Sequence, residues 1–371
     1  MSTYPHKTVL ILCNGARIFY LTRFELVKAL LDRGYTVYLS APHSDKSAPF
    51  VEAGCRMIDT PLDRRGLSPW NDLKLYFKYK RILKEIRPDI LLTFTIKPNI
   101  YGIRAGSKVG IYGIPTMTGL GTSIQHHGLL QRIVFSLYRR YYRHVPSAFF
   151  QNCANAELFR LLGLVRSEQI VTVSGSGVNL QTHAFQPYPD PSEPVRFLFI
   201  GRLMEEKGCL EYVEAARRIR QTRPDVRFGV LGFSEEPEIL ERIKSLSDEG
   251  IIEYFGYVQD VRPYIGKAHA VVHPSWHEGM ANVLLEAGAA GRPVIASKIS
   301  GCCETFNEGV TGFGFCPRNL DDLCDKLNRF LALSPEDRAA MGTAARIKTE
   351  NESDRRKVVE TYLAEIDKTL K

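Results

Sequence analysis

The sequence predicts an α/β fold class: two doubly wound parallel sheets whose domains face one another across a cleft. Three observations predict it. Short apolar runs of buried-strand type alternate with amphipathic stretches of helical period, the alternation restarts after the Pro-rich stretch Pro187–Pro194, and 371 residues suffice for two ordinary cores. Strands separated by helices imply parallel pairing, and ligands of such sheets sit beyond the carboxyl ends of the strands.

The first half opens with Thr8–Leu12, a continuous apolar run, then Asn14-Gly15-Ala16-Arg17 as a turn and a helix with Phe24, Val27, Leu30 and Leu31 on one face. Thr36–Ala41 reads as a second strand, Leu73–Ile86 as a basic helix, and Pro88–Phe94 as a strand introduced by proline. Strands near Ile114–Met117, Ala148–Gln151 and Ile170–Val173 extend the series. After the Pro-rich stretch come strand Arg196–Ile200, helix Leu210–Thr222, strand Arg227–Leu231, helix Pro237–Ser247 and strand Ile251–Phe255. Strand Ala270–His273, helix Ala281–Ala290 and strand Pro293–Ala296 follow, so the chain divides into domains 1–185 and 186–351 of Rossmann-like type, with a closing helix over 352–371.

Charge is unevenly spread. Residues Met1–Phe185 carry 24 Lys and Arg against 11 Asp and Glu, whereas the remainder carries 25 against 30. Such a basic half calls for an anionic partner: nucleic acid, a membrane surface or a phosphorylated substrate. No helix-turn-helix, zinc module or RNP-like segment is visible, so nucleic acid is set aside. Cys13, Cys55, Cys153, Cys209, Cys302, Cys303, Cys316 and Cys324 show no C-x-x-C pair and read as reduced thiols of a cytosolic protein. Met1–Lys7 lacks a signal-peptide apolar stretch and no run approaches the ~20 residues of a spanning helix, so the expected location is cytoplasmic, with membrane contact only peripheral.

Absent motifs narrow the chemistry. There is no P-loop, no G-x-G-x-x-G between strand and helix, although Gly119-Leu-Gly121 imitates its first half, and no D-x-D pair to hold a diphosphate through a divalent metal. The protein itself would have to neutralise that charge, so no metal and no cofactor are expected.

The segment His273-Pro-Ser-Trp-His-Glu278-Gly279-Met280-Ala281-Asn282-Val283-Leu-Leu-Glu286 lies between a strand and a helix. A helix starting near Ala281 places the two glutamates on the order of 12 Å apart, with the amide-rich helix N-terminus between them. That seat suits the diphosphate of a nucleotide sugar, with Glu286 accepting from ribose hydroxyls and Glu278 facing the sugar; two solvated glutamates on a plain strand-turn-helix fit the same spacing. Gly279 lets phosphates approach the backbone. A glycosidase pair fits less well, because its carboxyls stand ~5–9.5 Å apart. Gly201-Arg202-Leu-Met-Glu-Glu-Lys207-Gly208 follows the strand Arg196–Ile200, and its two cations would stabilise a departing diphosphate, although a basic surface loop reads the same way.

Together, the Gly201–Gly208 segment, the turn Gly256-Tyr257-Val258 and the segment Glu278–Glu286 resemble the donor site of retaining glycosyltransferases of family 4. The resemblance implies a GT-B architecture, metal-independent transfer from a UDP-sugar with the anomeric configuration kept, and a C-terminal helix, about Glu352–Leu370, crossing back to the first domain. It implies that Arg202 and Lys207 bind the diphosphate, Glu286 the ribose and Glu278 the transferred sugar. Backbone around Gly256, Tyr257 and Val258 would border the base, amides from Met280 to Val283 would reach the phosphates, and Asn14-Gly15-Ala16 would be the N-terminal glycine loop. Many members carry a histidine where this chain has Thr116-Met-Thr118-Gly119-Leu-Gly121, and His126 and His127 lie off the pattern, so no N-domain acid or base is assigned. A front-face mechanism tolerates that, because the departing phosphate oxygen can take the acceptor's proton.

The N-terminal half also resembles bacterial transferases that extend polyprenyl-diphosphate-linked saccharides, on the segments Thr93-Phe-Thr-Ile-Lys97-Pro-Asn99-Ile-Tyr-Gly102 and Thr118–Gly121. Lys97, Asn99, Thr118, Gly119 and Gly121 are the acceptor residues this implies, with a hexose or N-acetylhexosamine as the sugar and the cytoplasmic face of the inner membrane as the place. A UDP-sugar 2-epimerase of the same fold and a transferase with a non-lipid acceptor stay open. Independently, Leu129, Leu130, Ile133, Val134, Leu137, Tyr138 and Tyr141 share a helical face opposite Arg132, Arg139 and Arg143. This face is expected to lie in an anionic membrane surface or to pack on its own sheet. Arg64, Arg65, Lys74, Lys78, Lys80, Arg81 and Lys84 add positive charge to the same domain.

Overall fold

The computed structural model describes residues 7–63, 66, 68–119 and 128–371. These form two compact units, 1–176 with 355–371, and 177–354.

In the first unit, strands β1 (Thr8–Leu12), β2 (Thr36–Ala41), β3 (Arg56–Asp59), β4 (Ile90–Phe94), β5 (Gly113–Met117), β6 (Ala148–Phe150) and β7 (Ile170–Thr172) form a parallel sheet ordered β3-β2-β1-β4-β5-β6-β7. β1, β4 and β5 are apolar at nearly every position because helices cover both faces of the sheet. Helix α1 (Ala16–Asp32) covers one face with Phe19, Leu26, Val27 and Leu30, joined there by the C-terminal helix. Helices α2 (Ala48–Glu52), α3 (Pro69–Ile86), α4 (Ile103–Val109), α5 (Leu129–Tyr142) and α6 (Cys153–Leu161) also belong to this unit. Of these, α3 buries Leu75, Tyr76, Tyr79, Ile82 and Leu83, an i, i+3, i+4 stripe, against the opposite face.

In the second unit, β8 (Arg196–Ile200), β9 (Arg227–Leu231), β10 (Glu253–Tyr254), β11 (Ala270–His273), β12 (Val294–Ser297) and β13 (Gly312–Phe315) form a parallel sheet ordered β10-β9-β8-β11-β12-β13. Its helices are α7 (Cys209–Thr222), α8 (Pro237–Asp248), α9 (Arg262–Lys267), α10 (Asn282–Ala289), α11 (Leu320–Leu331) and α12 (Pro335–Glu352). Arg292, fully buried, ties this unit together by donating to the carbonyls of Ile265, Gln186, Ala290, Pro187 and Gly266. In each sheet the strand order reverses once, between β1 and β4 and between β8 and β11, and a crevice opens at such points beyond the carboxyl ends.

Two boundaries and one packing expectation change. Residues 177–185, read from sequence as part of the first domain, belong to the second unit, because Val178 packs with Met280, Leu285 and Ala289 and its N–H donates to Ser353 O. The closing helix is α13 (Arg355–Leu370), separated from α12 by Ser353 and Asp354. It belongs to the first unit, where Tyr362 stacks on Phe149 at 3.9 Å and Arg355 pairs with Glu25 at 2.9 Å. Third, α5 does not offer its apolar stripe to a membrane. Val134, Tyr138 and Tyr142 are buried against Phe150 and Phe159, Phe135, Leu137 and Tyr141 lean on the same cluster, and Ile133 alone of the described stripe is exposed. A stripe of helical period satisfies either role, and here the rings of its own domain cover it. Arg64 and Arg65 and the side chains of Leu129 and Leu130 lie outside the described residues.

Candidate functional site

The reversal between β8 and β11 sets the site. The chain leaves β8 through Gly201 and Arg202 and turns in a single 3-10 turn, Glu205–Lys207, into α7. Gly208, between turn and helix, has φ +69 and lies so close to the neighbouring loop that a Cβ would stand 2.1 Å from Pro274 O. Only glycine allows this contact, and it brings the turn after β8 against the loop after β11. Further bonds fasten the two segments: Trp276 N donates to Glu206 O at 2.9 Å and Trp276 Nε1 to Glu211 Oε1 at 2.8 Å.

At this junction Lys207 Nζ lies 2.6 Å from Glu278 Oε1, and His273 Nε2 lies 2.7 Å from the same oxygen. An ionised carboxylate only accepts, so the imidazole donates through Nε2, while its buried Nδ1 has no hydrogen-bond partner among the described residues. Burial opposes the charge on Glu278, but the bond and charge of His273, together with Lys207, outweigh it and draw the carboxyl down to about 2. Glu278 is therefore a fixed anion above mild acid, and Lys207 is held by it rather than extended freely. The sequence reading gave these side chains separate tasks and gave His273 none. A polar residue closing the otherwise apolar run Ala270–His273 was the available signal.

Arg202 is exposed and has no hydrogen-bond or ion-pair partner among the described residues, so it is the available cation of the pair. Gly279 is fixed from below by Gly301, whose φ is +82 and whose Cβ would stand 2.7 Å from Gly279 O. Met280 and Ala281 are buried, and the Ala281 amide donates to Gly301 O at 2.8 Å, which removes it from the expected set of phosphate-binding amides. Asn282 and Val283 open α10, whose N-cap residue Ala281 has no side chain able to cap it, and Glu286 stands one turn further along the same helix. On the adjoining strand ends Tyr257, 54% exposed, meets Phe233 edge-on at 5.9 Å, and Val258 packs beneath. Phe233 was missed because nothing in its local pattern distinguishes it; only the alignment of β9 and β10 pairs it with Tyr257.

In the first unit, Asn14 and Gly15 follow β1, and Thr118 and Gly119 follow β5, all near the carboxyl edge. Ala16 begins α1 fully buried in the core, so it packs rather than presents itself to a ligand. Asn99 is also buried: its Oδ1 accepts from Thr93 Oγ1 at 2.8 Å and its Nδ2 donates to Thr116 O at 2.8 Å, tying β4 to β5. That corrects its expected place at the acceptor, since its polar atoms are engaged inside the fold. Lys97 pairs with Asp72 at 2.7 Å and, with Lys74 and Lys78, lines a cavity of about 410 Å³. Gly121, His126 and His127 lie outside the described residues. Thr95, just after β4, was not singled out; it holds φ +74 and a buried hydroxyl without a partner among the described residues, the kind of strain that collects at functional edges. Among the described residues no cluster of three or more His, Cys, Asp or Glu is placed to hold a metal.

Comparison with known proteins finds glycosyltransferases. The model of the group 1 glycosyl transferases matches residues 194–332, and that of the glycosyl transferase 4-like domain matches residues 22–175. The N,N'-diacetylbacillosaminyl-diphospho-undecaprenol alpha-1,3-N-acetylgalactosaminyltransferase of Campylobacter jejuni is 27% identical over 334 residues, which span 85% of this chain and 87% of that protein. The lipopolysaccharide core biosynthesis glycosyltransferase LpsE of Rhizobium meliloti is 25% identical over 81% of this chain and 80% of its own. Among solved structures, a glycosyltransferase from Rickettsia africae superposes with TM-score 0.79 at 20% identity, covering 99% of this chain and 100% of that one. HepE of Anabaena in complex with UDP-glucose gives 0.78 at 16% identity, covering 98% and 100%.

Proposed function

The chain belongs to the group 1 glycosyltransferases, with GT-B fold, and from that premise we propose that it moves a hexose or N-acetylhexosamine from a UDP-sugar, with retention, to a polyprenyl-diphosphate-linked saccharide. The observation that carries the reading is the cluster Lys207–Glu278–His273 at the strand reversal, beside the exposed Arg202 and the start of α10.

Lys207 has three N–H donors, of which Glu278 takes one at 2.6 Å and the His277 carbonyl another at 3.5 Å, so a diphosphate can share the ammonium through the third while Glu278 keeps it in place. Arg202 adds a planar, bidentate cation, and the amides opening α10 add a positive dipole end, so charge developing on the leaving UDP meets protein groups already oriented. Glu286, one turn into that helix, is assigned to the ribose, and Phe233 with Tyr257 to the base. The departing phosphate oxygen takes the acceptor's proton. Support for UDP comes from HepE, solved in complex with UDP-glucose, and support for a lipid-linked acceptor from the Campylobacter relative. The proposed place is the cytoplasmic face of the inner membrane; among the described residues no helix is long and apolar enough to cross a membrane.

The test is UDP release measured with UDP-, GDP- and ADP-sugars, with and without undecaprenyl-diphosphate-linked saccharide. Release from a UDP-sugar that depends on the lipid-linked acceptor, unaffected by chelator, is expected, and Glu286→Ala and Lys207→Ala should each lower it at least ~100-fold. Isomerisation of the sugar without acceptor, or near-normal turnover in both variants, would overturn the assignment.

A further inference from the structure

Helix α3 carries a surface that the donor site does not use. Its inner stripe is buried, yet Trp70, Leu73 and Phe77 on the outer side are 75%, 41% and 56% exposed. At 3.6 residues per turn these three fall within an arc of about 60°, so they form one continuous apolar ridge over the first two turns. Exposed large apolar groups that recur at helical spacing are uncommon on a polar surface.

Positive charge frames the ridge. Lys74 and Lys78 border it on one side and Lys80 on the other, and Arg81 and Lys84 continue its line toward the C-terminal end. Lys74, Lys80 and Lys84 have no ion-pair partner among the described residues, while Arg81 approaches Glu85 at 3.5 Å. The helix carries five cations against two carboxylates, and one of those, Asp72, is turned to Lys97 and Tyr101. Tryptophan and phenylalanine beside lysine and arginine match the boundary of an anionic bilayer, where rings enter the headgroup region and cations meet lipid phosphate.

We infer that the outer face of α3, led by Trp70, Leu73 and Phe77, is the surface by which this protein docks on an anionic lipid membrane. The role expected of α5 thus falls to a different helix, because α5 turns its rings inward. The inference rests on the proposed function only for the reason docking is useful, namely access to a lipid-linked acceptor. Vesicle binding itself is read without donor or acceptor, so an absence of transfer bears on the catalytic reading alone.

The chain has two tryptophans, Trp70 and Trp276, so in a Trp276→Phe background fluorescence reports Trp70 alone. Vesicles of phosphatidylglycerol and phosphatidylethanolamine should shift its emission to the blue, brominated lipid should quench it, and phosphatidylcholine vesicles should do far less. Cosedimentation of the otherwise native chain should weaken about tenfold or more in Phe77→Ser with Leu73→Ser, and comparably in Lys74→Glu with Lys84→Glu. Unchanged Trp70 emission on anionic vesicles overturns the inference, as does a blue shift produced by raising protein concentration without lipid, which would make the ridge a contact between copies of the chain.

Discussion

Replacing Glu278 by glutamine tests the site at its centre. The carboxyl is drawn from its ordinary 4.5 to about 2, and its side chain is only 14% exposed, so solvent screens the interaction little. At about 1.4 kcal/mol per pKa unit, ionised Glu278 stabilises the fold by about 3 kcal/mol at neutral pH. The folded value is the depressed one, so this stability is complete above the unfolded value and is lost as pH falls toward the folded value. Glutamine does not titrate. The gap between the parent protein and Glu278→Gln should therefore be constant from pH 7 down to about 5.5 and then narrow, by about 2 kcal/mol on reaching pH 3. Urea unfolding followed by Trp276 emission in a Trp70→Phe background reads the unit that contains Glu278, whose indole neighbour Glu211 lies in the same unit. A gap that stays the same from pH 7 to pH 3 would refute the argument that His273 and Lys207 hold this carboxyl ionised.

Further expectations separate structural from binding roles. Arg202→Ala should change unfolding free energy by less than about 0.5 kcal/mol, since the side chain is exposed and has no ion-pair partner among the described residues, yet weaken UDP binding about tenfold or more by calorimetry. Gly208→Ala should cost more than about 2 kcal/mol and lower the affinity for UDP, because the added carbon meets Pro274 O at a left-handed backbone position; a melting temperature equal to the parent's would contradict the contact. Asn99→Ala should lose about 2 kcal/mol or more of stability by stranding Thr93 Oγ1 and Thr116 O, with KM for acceptor unchanged in the folded fraction. A raised acceptor KM with unaltered stability would return Asn99 to the acceptor site.

Much of this was legible along the chain. The runs Thr36–Ala41 and Ala270–His273 are strands with the bounds their composition implies, and α3 and α7 follow the stripes of Leu73–Ile86 and Leu210–Thr222. Apolar continuity and helical period are local properties, readable wherever the residues lie in order. The short β3 and β13 and helices α2 and α9 escaped because a few residues carry no resolvable period. The donor-side segments could likewise be placed at strand ends, since each follows directly on a strand.

Pairings were another matter. That Lys207 and His273 share one oxygen of Glu278, that Phe233 meets Tyr257, and that Asn99 closes a bridge inside the sheet all depend on strands far apart in sequence becoming neighbours. The same holds for the two basic amphipathic helices. Sequence reads α3 as basic and α5 as basic and amphipathic, and only tertiary packing decides that the rings of α5 are covered by Phe150 and Phe159 while Trp70 and Phe77 of α3 stay in solvent. A side chain's periodicity belongs to its own segment, whereas its burial, charge state and partner are set by whatever the fold brings against it.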